Sequence, residues 1–172
     1  FFCDEFTNFY DVEIGKDAFY LFDKLGYNLK LIAHEESGRS FISKGFLKQA
    51  KAICNLNVAI FKDLINEETP LIGIEPSAIL TFRDEYIRLA DDPVSAEKIA
   101  KNAFTFEEFL AKEFEKGAFD TEVFTSATKR LKIHGHCHQK ALSGTHSSFQ
   151  ILNIPKNYTV TIMNTGCCGM AG

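Results

Sequence analysis

Short apolar runs that are typical of strands alternate along this chain with amphipathic runs that are typical of helices. PLIGI (70–74) predicts a buried strand, and EPSAILTFRDEYIRLA after it predicts a helix with Pro76 in its first turn. RLKIHGH, THSSFQILNI and YTVTIMN continue the alternation as strand, helix and strand. Strands that alternate with helices favour parallel pairing through crossover connections. The sequence therefore predicts an α/β fold with mainly parallel sheets.

The first half of the chain follows the same alternation. We expect strands at FFCDEF and NLKLIAH, and helices at VEIGKDAFYLFDKLG, which ends at Gly26, and at KGFLKQAKAICNLNVAIFKDLINEE. Two further helices, DPVSAEKIAKNA and TFEEFLAKEFEKG, are polar on one face and separate the two halves. The 17 phenylalanines are expected to fill the core.

An internal repeat relates the two halves. A shift of 131 positions places LGYNLKLIAHEESG on IPKNYTVTIMNTGCCG, so that Tyr27 meets Tyr158. Each copy then reads as strand, helix, strand and a glycine turn, and the copies predict two pseudo-repeated lobes. We expect a first repeat over residues 1–92, a helical connection over 93–128 and a second repeat over 129–172.

The five cysteines are odd in number and clustered, which indicates an intracellular thiol or metal role rather than a disulfide framework. Cys3 and Cys54 have apolar neighbours and are expected to be buried structural thiols. Cys167 and Cys168 are adjacent, and a disulfide between them would be strained, because neighbouring Cα atoms lie only about 3.8 Å apart. We expect this pair to direct two thiolates into one site.

Cys137, in HGHCHQK, is expected to join that pair. It follows one predicted strand and the CCG turn follows another, so the three sulfur atoms would meet at the carboxyl ends of neighbouring strands. Three thiolates suit an iron–sulfur cluster, and with one imidazole they form a tetrahedral zinc set. Continuation of the strand would place His134, His136 and His138 on the face opposite Cys137. Each is more simply interpreted as a solvent-facing or core histidine. His138 is the best candidate ligand among them.

The composition excludes several classes of function. A net charge of −4 provides no basic surface for nucleic acid, and no apolar run is long enough to span a membrane. No signal peptide is visible. The chain lacks an initiator methionine and stops abruptly at Gly172, so we expect it to be a piece of a longer protein.

HCHQKAL and CCGMAG resemble the cysteine-rich CCG domain of heterodisulfide reductase, which also occurs in the iron–sulfur subunits of glycolate oxidase and anaerobic glycerol-3-phosphate dehydrogenase. GIEPSAILTFRDEY and SGRSFISKGFLKQAK resemble the C-terminal part of fused FAD-linked oxidases of the D-lactate or D-2-hydroxyglutarate dehydrogenase type. The resemblance covers nearly the whole chain except residues 91–125.

The family pattern in each repeat is one cysteine, then an adjacent cysteine pair, then a C-x-x-C. In the second repeat Cys137 matches the first ligand, Cys167 and Cys168 match the pair, and the C-x-x-C would lie beyond the end of the chain. The resemblance therefore implies half of a cluster site in this chain. We expect that site to be empty or occupied by zinc here, with an iron–sulfur cluster only in a longer parent protein.

The first repeat departs from this pattern. Glu36 and Ser37 replace the cysteine pair, and Glu75 and Ala78 replace the C-x-x-C. We expect no metal there and a pocket closed by side-chain hydrogen bonds or apolar packing. A catalytic role for Glu75 is conceivable, but helix capping or ion pairing is the simpler interpretation.

The resemblance implies an electron-transfer segment of an FAD-linked oxidoreductase that oxidises a D-2-hydroxy acid such as lactate, glycolate or 2-hydroxyglutarate. FAD would lie on another domain, and electrons would pass through a ferredoxin-like cluster domain of the same polypeptide or complex to a [4Fe–4S]-type cluster, then to a quinone or other acceptor. The expected location is the cytoplasm, or the periphery of the membrane at its inner face. The alternative is a non-catalytic, zinc-binding scaffold that docks the flavin domain.

Overall fold

Helices and short strands alternate through residues 1–167, the part of the chain that the computed structural model describes. The strands in this part are β1 (Leu71–Gly73), β2 (Ala103–Thr105), β3 (Lys129–Ile133) and β4 (Tyr158–Ile162). The helices are α1 (Glu5–Phe9), α2 (Val12–Lys24), α3 (Arg39–Ser43), α4 (Leu47–Phe61), α5 (Pro76–Ile79), α6 (Glu85–Leu89), α7 (Pro93–Lys101), α8 (Phe106–Glu115), α9 (Cys137–Leu142) and α10 (His146–Leu152). This is an α/β fold, as the sequence predicts.

The strands form two parallel pairs in two compact units. β1 pairs with β2 in the first unit, Phe1–Thr105, and β3 pairs with β4 in the second unit, which begins at Phe106. The expected parallel pairing is confirmed. The division into repeats over 1–92 and 129–172 stays a prediction.

Aromatic side chains fill the core of the first unit. Phe2, Phe61, Phe82 and Tyr86 are each almost completely buried. The ring of Phe82 lies 5.0 Å from that of Phe2 and 4.4 Å from that of Tyr86, measured between centroids. Such edge and tilted contacts add to the free energy that burial of these large rings supplies. The core role expected for phenylalanine therefore holds for these rings, although Phe9 is 73% exposed.

The first predicted strand, FFCDEF, is absent, since residues 1–4 belong to no regular element and α1 follows them. The amide of Phe2 donates to the carbonyl of Ile72 at 2.8 Å, so the first residues run beside β1. The Asp4 carboxylate then accepts hydrogen bonds from the amides of Phe6 at 2.9 Å and Thr7 at 3.0 Å. This N-cap starts α1 at Glu5, because a carboxylate there satisfies amides that a helix leaves unpaired. The expected strand over FFCDEF is therefore wrong.

The predicted strand NLKLIAH is also wrong, since residues 27–38 belong to no regular element. The side chain of Asn57, rather than a neighbouring strand, pairs with the backbone that follows this run. Its carbonyl accepts from the Glu35 amide at 3.0 Å, and its amide donates to the Glu36 carbonyl at 2.9 Å. A side chain that meets the backbone's hydrogen-bonding needs removes the requirement for a strand ladder.

The single helix predicted over EPSAILTFRDEYIRLA is broken into α5, a 3₁₀ turn at Leu80–Phe82, and α6. Within it, the Thr81 hydroxyl donates to the Ser77 carbonyl at 2.7 Å. Such back-bonding to the preceding turn competes with regular helical geometry. The helices predicted around α2, α4, α7, α8 and α10 are confirmed, whereas β2 was not predicted.

Candidate metal centre

The parallel pairing of β3 with β4 brings two sequence-distant loops together. The register runs from Lys129 beside Tyr158 to Ile133 beside Ile162, and the Met163 amide extends it by donating to the Ile133 carbonyl at 2.9 Å. Both strands therefore end at the same edge. Ligand sites in open α/β sheets commonly form at this edge.

Cys137 follows β3 as the first residue of α9. The preceding residue, His136, caps the helix: its Nδ1 accepts a hydrogen bond from the His138 amide at 3.2 Å. Because β3 ends at Ile133 and the helix starts at residue 137, the expected extension of the strand through the histidines is wrong. His138 lies on the first turn of the helix beside Cys137, and its role as a ligand stays a prediction.

Cys137 and Cys167 lie together at this edge, with their sulfur atoms 3.8 Å apart. A disulfide bond is about 2.05 Å long, so these are two separate thiols in contact. Cys137 is half-buried and Cys167 is exposed. Cys168, the third predicted ligand, lies outside the described residues.

The separation of the two sulfur atoms suits shared metal coordination. Two thiolates that each lie about 2.3 Å from one zinc ion at the tetrahedral angle have sulfur atoms about 3.8 Å apart. The sulfur atoms of Cys137 and Cys167 have this spacing. One metal ion therefore fits this thiol pair without movement of either backbone segment.

Two side chains from the β3–α9 segment hold the loop that carries Cys167. The Lys140 ammonium donates to the Thr165 carbonyl at 2.7 Å and to the Gly166 carbonyl at 3.0 Å. The His134 imidazole also lies within hydrogen-bonding distance of the Gly166 carbonyl, with its Nε2 at 3.3 Å. The carbonyl that immediately precedes Cys167 is thus held by two side chains. The sequence singled out His134 as a candidate ligand, but Lys140 was missed.

Gly135, between two of the histidines, is buried and leaves room for this arrangement. A Cβ atom at this position would lie 2.4 Å from Cγ2 of Thr145 and 3.1 Å from Cε of Lys140. The first distance is shorter than side chains tolerate, so the close approach requires glycine. A glycine inside a histidine- and cysteine-rich motif was the available sequence signal for this packing.

A contact in the first unit also joins the first residue of a helix to a later loop, but it involves oxygen atoms rather than sulfur atoms. Glu5 is the first residue of α1, as Cys137 is of α9. Its carboxylate accepts from the Ser37 amide at 2.9 Å and from the Ser37 hydroxyl at 2.6 Å. Ser37 is completely buried. The side-chain hydrogen bonds expected around Ser37 are therefore present, and their acceptor Glu5 was not recognised in the sequence.

A buried polar network surrounds this contact. The Tyr86 hydroxyl donates to the Ser37 carbonyl at 3.1 Å and accepts from the Asn57 side-chain amide at 2.9 Å. Burial raises the pKa of Tyr86 above its ordinary value. Burial, reinforced by the nearby carboxylates of Glu5 and Glu35, also raises the pKa of Glu36. The network holds the loop in place through neutral and charge-assisted hydrogen bonds.

Glu75 and Ala78, at the other two replaced positions, have structural roles. The Glu75 carboxylate accepts from the Ser77 amide at 3.1 Å and from the Ser77 hydroxyl at 2.7 Å, which makes it the N-cap of α5. The interpretation of Glu75 as a capping group is confirmed. Ala78 is completely buried.

The other two cysteines lie in the first unit. Cys54 is completely buried, its sulfur lies 3.8 Å from the Tyr86 carbonyl, and burial raises its pKa to about 12. It is the structural thiol that the sequence predicts. Cys3 is only half-buried, which corrects the expectation of full burial; burial, and then the neighbouring Asp4, raise its pKa.

Comparison with known proteins relates the chain to dehydrogenases. It is 27% identical over 170 residues to D-2-hydroxyglutarate dehydrogenase of Pantoea ananatis (strain AJ13355), and 27% identical over 171 residues to the Escherichia coli (strain K12) protein of the same name. It is 23% identical over 175 residues to one subunit of the anaerobic glycerol-3-phosphate dehydrogenase of Escherichia coli (strain K12). No protein-family model matches the chain, and no solved structure matches it.

These relatives are longer than the chain. The matches cover 98% of this chain but 16% of the two D-2-hydroxyglutarate dehydrogenases, and 100% of this chain but 43% of the glycerol-3-phosphate dehydrogenase subunit. The chain is therefore related to a segment of larger oxidoreductases. Within residues 1–167, none of the helices is both long enough and apolar enough to cross a membrane.

Proposed function

We propose that this chain is a thiolate metal-binding segment that carries electrons in an FAD-linked dehydrogenase acting on a D-2-hydroxy acid. The observation that carries the metal-binding part of the proposal is the 3.8 Å separation of the Cys137 and Cys167 sulfur atoms. The similarity to D-2-hydroxyglutarate dehydrogenases over 98% of the chain supports the substrate class. The resemblance of the cysteine motifs to CCG domains supports the electron-transfer role.

The proposed ligands are Cys137, Cys167 and Cys168, with His138 as a further candidate. When bound, an iron–sulfur cluster supplies one-electron transfer. The chain's own residues hold the Cys137 and Cys167 sulfur atoms at ligand spacing, with Cys137 half-buried. In this proposal FAD lies on a partner domain, a ferredoxin-like cluster domain delivers electrons, and a quinone or another acceptor receives them. The chain by itself is not the catalyst of hydroxy-acid oxidation.

A second candidate is a zinc-bound scaffold that docks the flavin domain. It is favoured by the same distance, since 3.8 Å is the spacing of two thiolates on a single tetrahedral ion. In a cubane cluster each ligand cysteine bonds its own iron atom, so ligand sulfur atoms lie farther apart. A zinc site would contribute folding stability and no redox chemistry.

Metal analysis of the anaerobically purified chain tests both candidates. Elemental mass spectrometry would measure iron, acid-labile sulfide assay would measure inorganic sulfur, and visible absorption would report a cluster. In this chain we expect zinc or an empty site. In a longer protein that supplies the remaining ligands we expect iron with sulfide after reconstitution, and loss of both in Cys137→Ser and Cys167→Ser. Cys3→Ser is the matched control, because its thiol is also half-buried but lies in the other unit.

Zinc without iron or sulfide in the longer protein, lost in the same two variants, would favour the scaffold over the electron-transfer role. Failure of the longer protein to bind either metal, or equal binding by wild type and both cysteine variants, would contradict a thiolate site at these residues.

A further inference from the structure

We propose that Lys140 is a positioning residue for the thiol pair: it ties the helix that carries Cys137 to the loop that carries Cys167. The inference deepens the proposed function and rests on it. In this role Lys140 binds no metal itself. It keeps the two sulfur atoms within the distance at which they can share one ion.

The backbone and the side chain of Lys140 are attached to different sides of the site. Its amide donates to the His136 carbonyl at 2.9 Å, so its backbone is part of the first turn of α9. Its ammonium reaches the Thr165 and Gly166 carbonyls at 2.7 Å and 3.0 Å. The side chain therefore links the two backbone segments that present the thiols.

The chemistry of lysine suits this link. An ammonium group has three donors, and two of them bind successive carbonyls in the loop. Hydrogen bonds from a charged donor are stronger than those between neutral groups. The positive charge also lies at the residue next to Cys167, where two thiolates that share a site would repel each other.

The surroundings keep the link in place. The Lys140 stem passes over Gly135, where a Cβ atom would come within 3.1 Å of its Cε. His134 lies 3.3 Å from the same Gly166 carbonyl, so the loop is contacted from both ends of the His134–Lys140 segment. Lys140 is otherwise exposed, and an exposed lysine without such contacts would extend into solvent.

The test compares Lys140→Met with Lys140→Arg. Cross-linking is measured in the full chain carrying Cys168→Ser, so that a disulfide forms between known partners, and metal binding is measured in the chain that keeps Cys168. Diamide oxidises two thiols to a disulfide and is itself reduced to the hydrazine, and mass spectrometry would follow the Cys137–Cys167 product. Cobalt(II) titration, read by thiolate-to-cobalt absorption, would measure metal affinity. Lys132→Met is the matched control, because Lys132 is an exposed lysine on β3.

We expect Lys140→Met to slow cross-linking and to weaken cobalt binding by about tenfold each, the effect of losing charge-assisted hydrogen bonds. Lys140→Arg retains charge and donors, so it should recover most of both losses. Lys132→Met should match the parent. Circular dichroism would confirm that each variant is folded at the assay temperature, which separates positioning from a loss of structure.

Unchanged cross-linking and cobalt affinity in Lys140→Met would overturn the inference, and so would equal losses in Lys132→Met. Failure of this inference is distinguishable from failure of the proposed function. If wild type binds no metal but Lys140→Met still slows cross-linking, positioning holds and the metal role fails. If wild type binds metal and Lys140→Met binds it equally well, the metal role holds and the positioning role of Lys140 fails.

Discussion

The carboxylate of Glu5 accepts two hydrogen bonds from Ser37, 32 positions later in the chain, just as the sulfur of Cys137 meets that of Cys167, 30 positions later. Both contacts join the first residue of a helix to a residue outside the helices and strands, about 30 positions later. Glu5 and Ser37 satisfy each other as hydrogen-bond acceptor and donor. Two neighbouring thiolates repel each other, and a bound cation offsets that repulsion. The two units therefore use a helix start and a later loop for different chemistry, and the internal repeat stays a prediction.

Ser37→Ala should destabilise the first unit by between about 1 and 3 kcal/mol, because it removes a buried hydroxyl and leaves a Glu5 oxygen without its donor. Urea unfolding followed by circular dichroism would measure the change. Ser43→Ala, at an exposed position on α3, should alter stability by less than about 0.5 kcal/mol. Equal stability of the two variants would show that the Glu5–Ser37 contact contributes nothing.

Tyr86→Phe should lower the free energy of unfolding by about 1–2 kcal/mol, since it keeps the buried ring but removes the hydroxyl that joins Ser37 to Asn57. Tyr10→Phe is the control, because Tyr10 is 82% exposed. Thermal unfolding of both variants would measure the difference. A Tyr86→Phe protein as stable as wild type would show that water or a neighbouring group replaces the lost hydroxyl.

Cys54 makes stability sensitive to alkaline pH. The thiol has an ordinary pKa of 9.0 in the unfolded chain, and burial raises it to about 12 in the folded protein. The raised value means that the folded state keeps a proton which the unfolded state releases. The contribution to stability is therefore complete below pH 9 and is lost as the pH rises from about 9 towards about 12.

Cys54→Ala should remove this part of the pH dependence. At about pH 8 the variant should be less stable than wild type by about 1 kcal/mol because of the cavity. By about pH 10.5 this difference should close or reverse, because wild type has then lost about 2 kcal/mol. Urea titrations at the two pH values would measure it. A gap that stays constant or widens would contradict a buried, protonated Cys54 thiol.

Gly135→Ala should disturb the thiol site through a steric effect. The new methyl group would overlap with Thr145, as a Cβ there lies 2.4 Å from its Cγ2. We expect the free energy of unfolding, measured by thermal unfolding, to fall by about 1–3 kcal/mol. Combining Gly135→Ala with Thr145→Ser should recover part of this loss, because serine lacks that methyl group. Gly166→Ala is the control, because a Cβ there meets no atom within 4 Å. A loss in Gly166→Ala as large as that in Gly135→Ala would point to backbone flexibility rather than overlap.

The sequence predicts those parts of the fold that depend on local pattern. Helical apolar spacing identified α2 and α4, and the glycine expected to end α2, Gly26, has the positive φ of 86° that favours glycine. Glu75 was identified as a cap from its place before a proline-started helix. The cysteine motifs pointed to the edge of the sheet where the thiols lie.

The remainder depends on contacts between distant residues, which local pattern does not encode. NLKLIAH alternates like a strand, but Asn57, more than twenty positions away, pairs with the backbone that follows it. The partner of Ser37 is a glutamate near the start of the chain, and the group that holds the Cys167 loop is a lysine in α9. Each is an ordinary polar residue in the sequence, and only its partner in the fold distinguishes it.

The parallel pairing of β3 and β4 has a consequence for the entropy of the chain. Closing a segment of 30 residues costs about 3 kcal/mol beyond a constant term, and formation of this sheet meets that cost before any ligand arrives. An ion held by Cys137 and Cys167 would in turn oppose the separation of the two strands. Hydrogen exchange at the Met163 amide, which donates to the Ile133 carbonyl across the two strands, should therefore slow when such an ion binds.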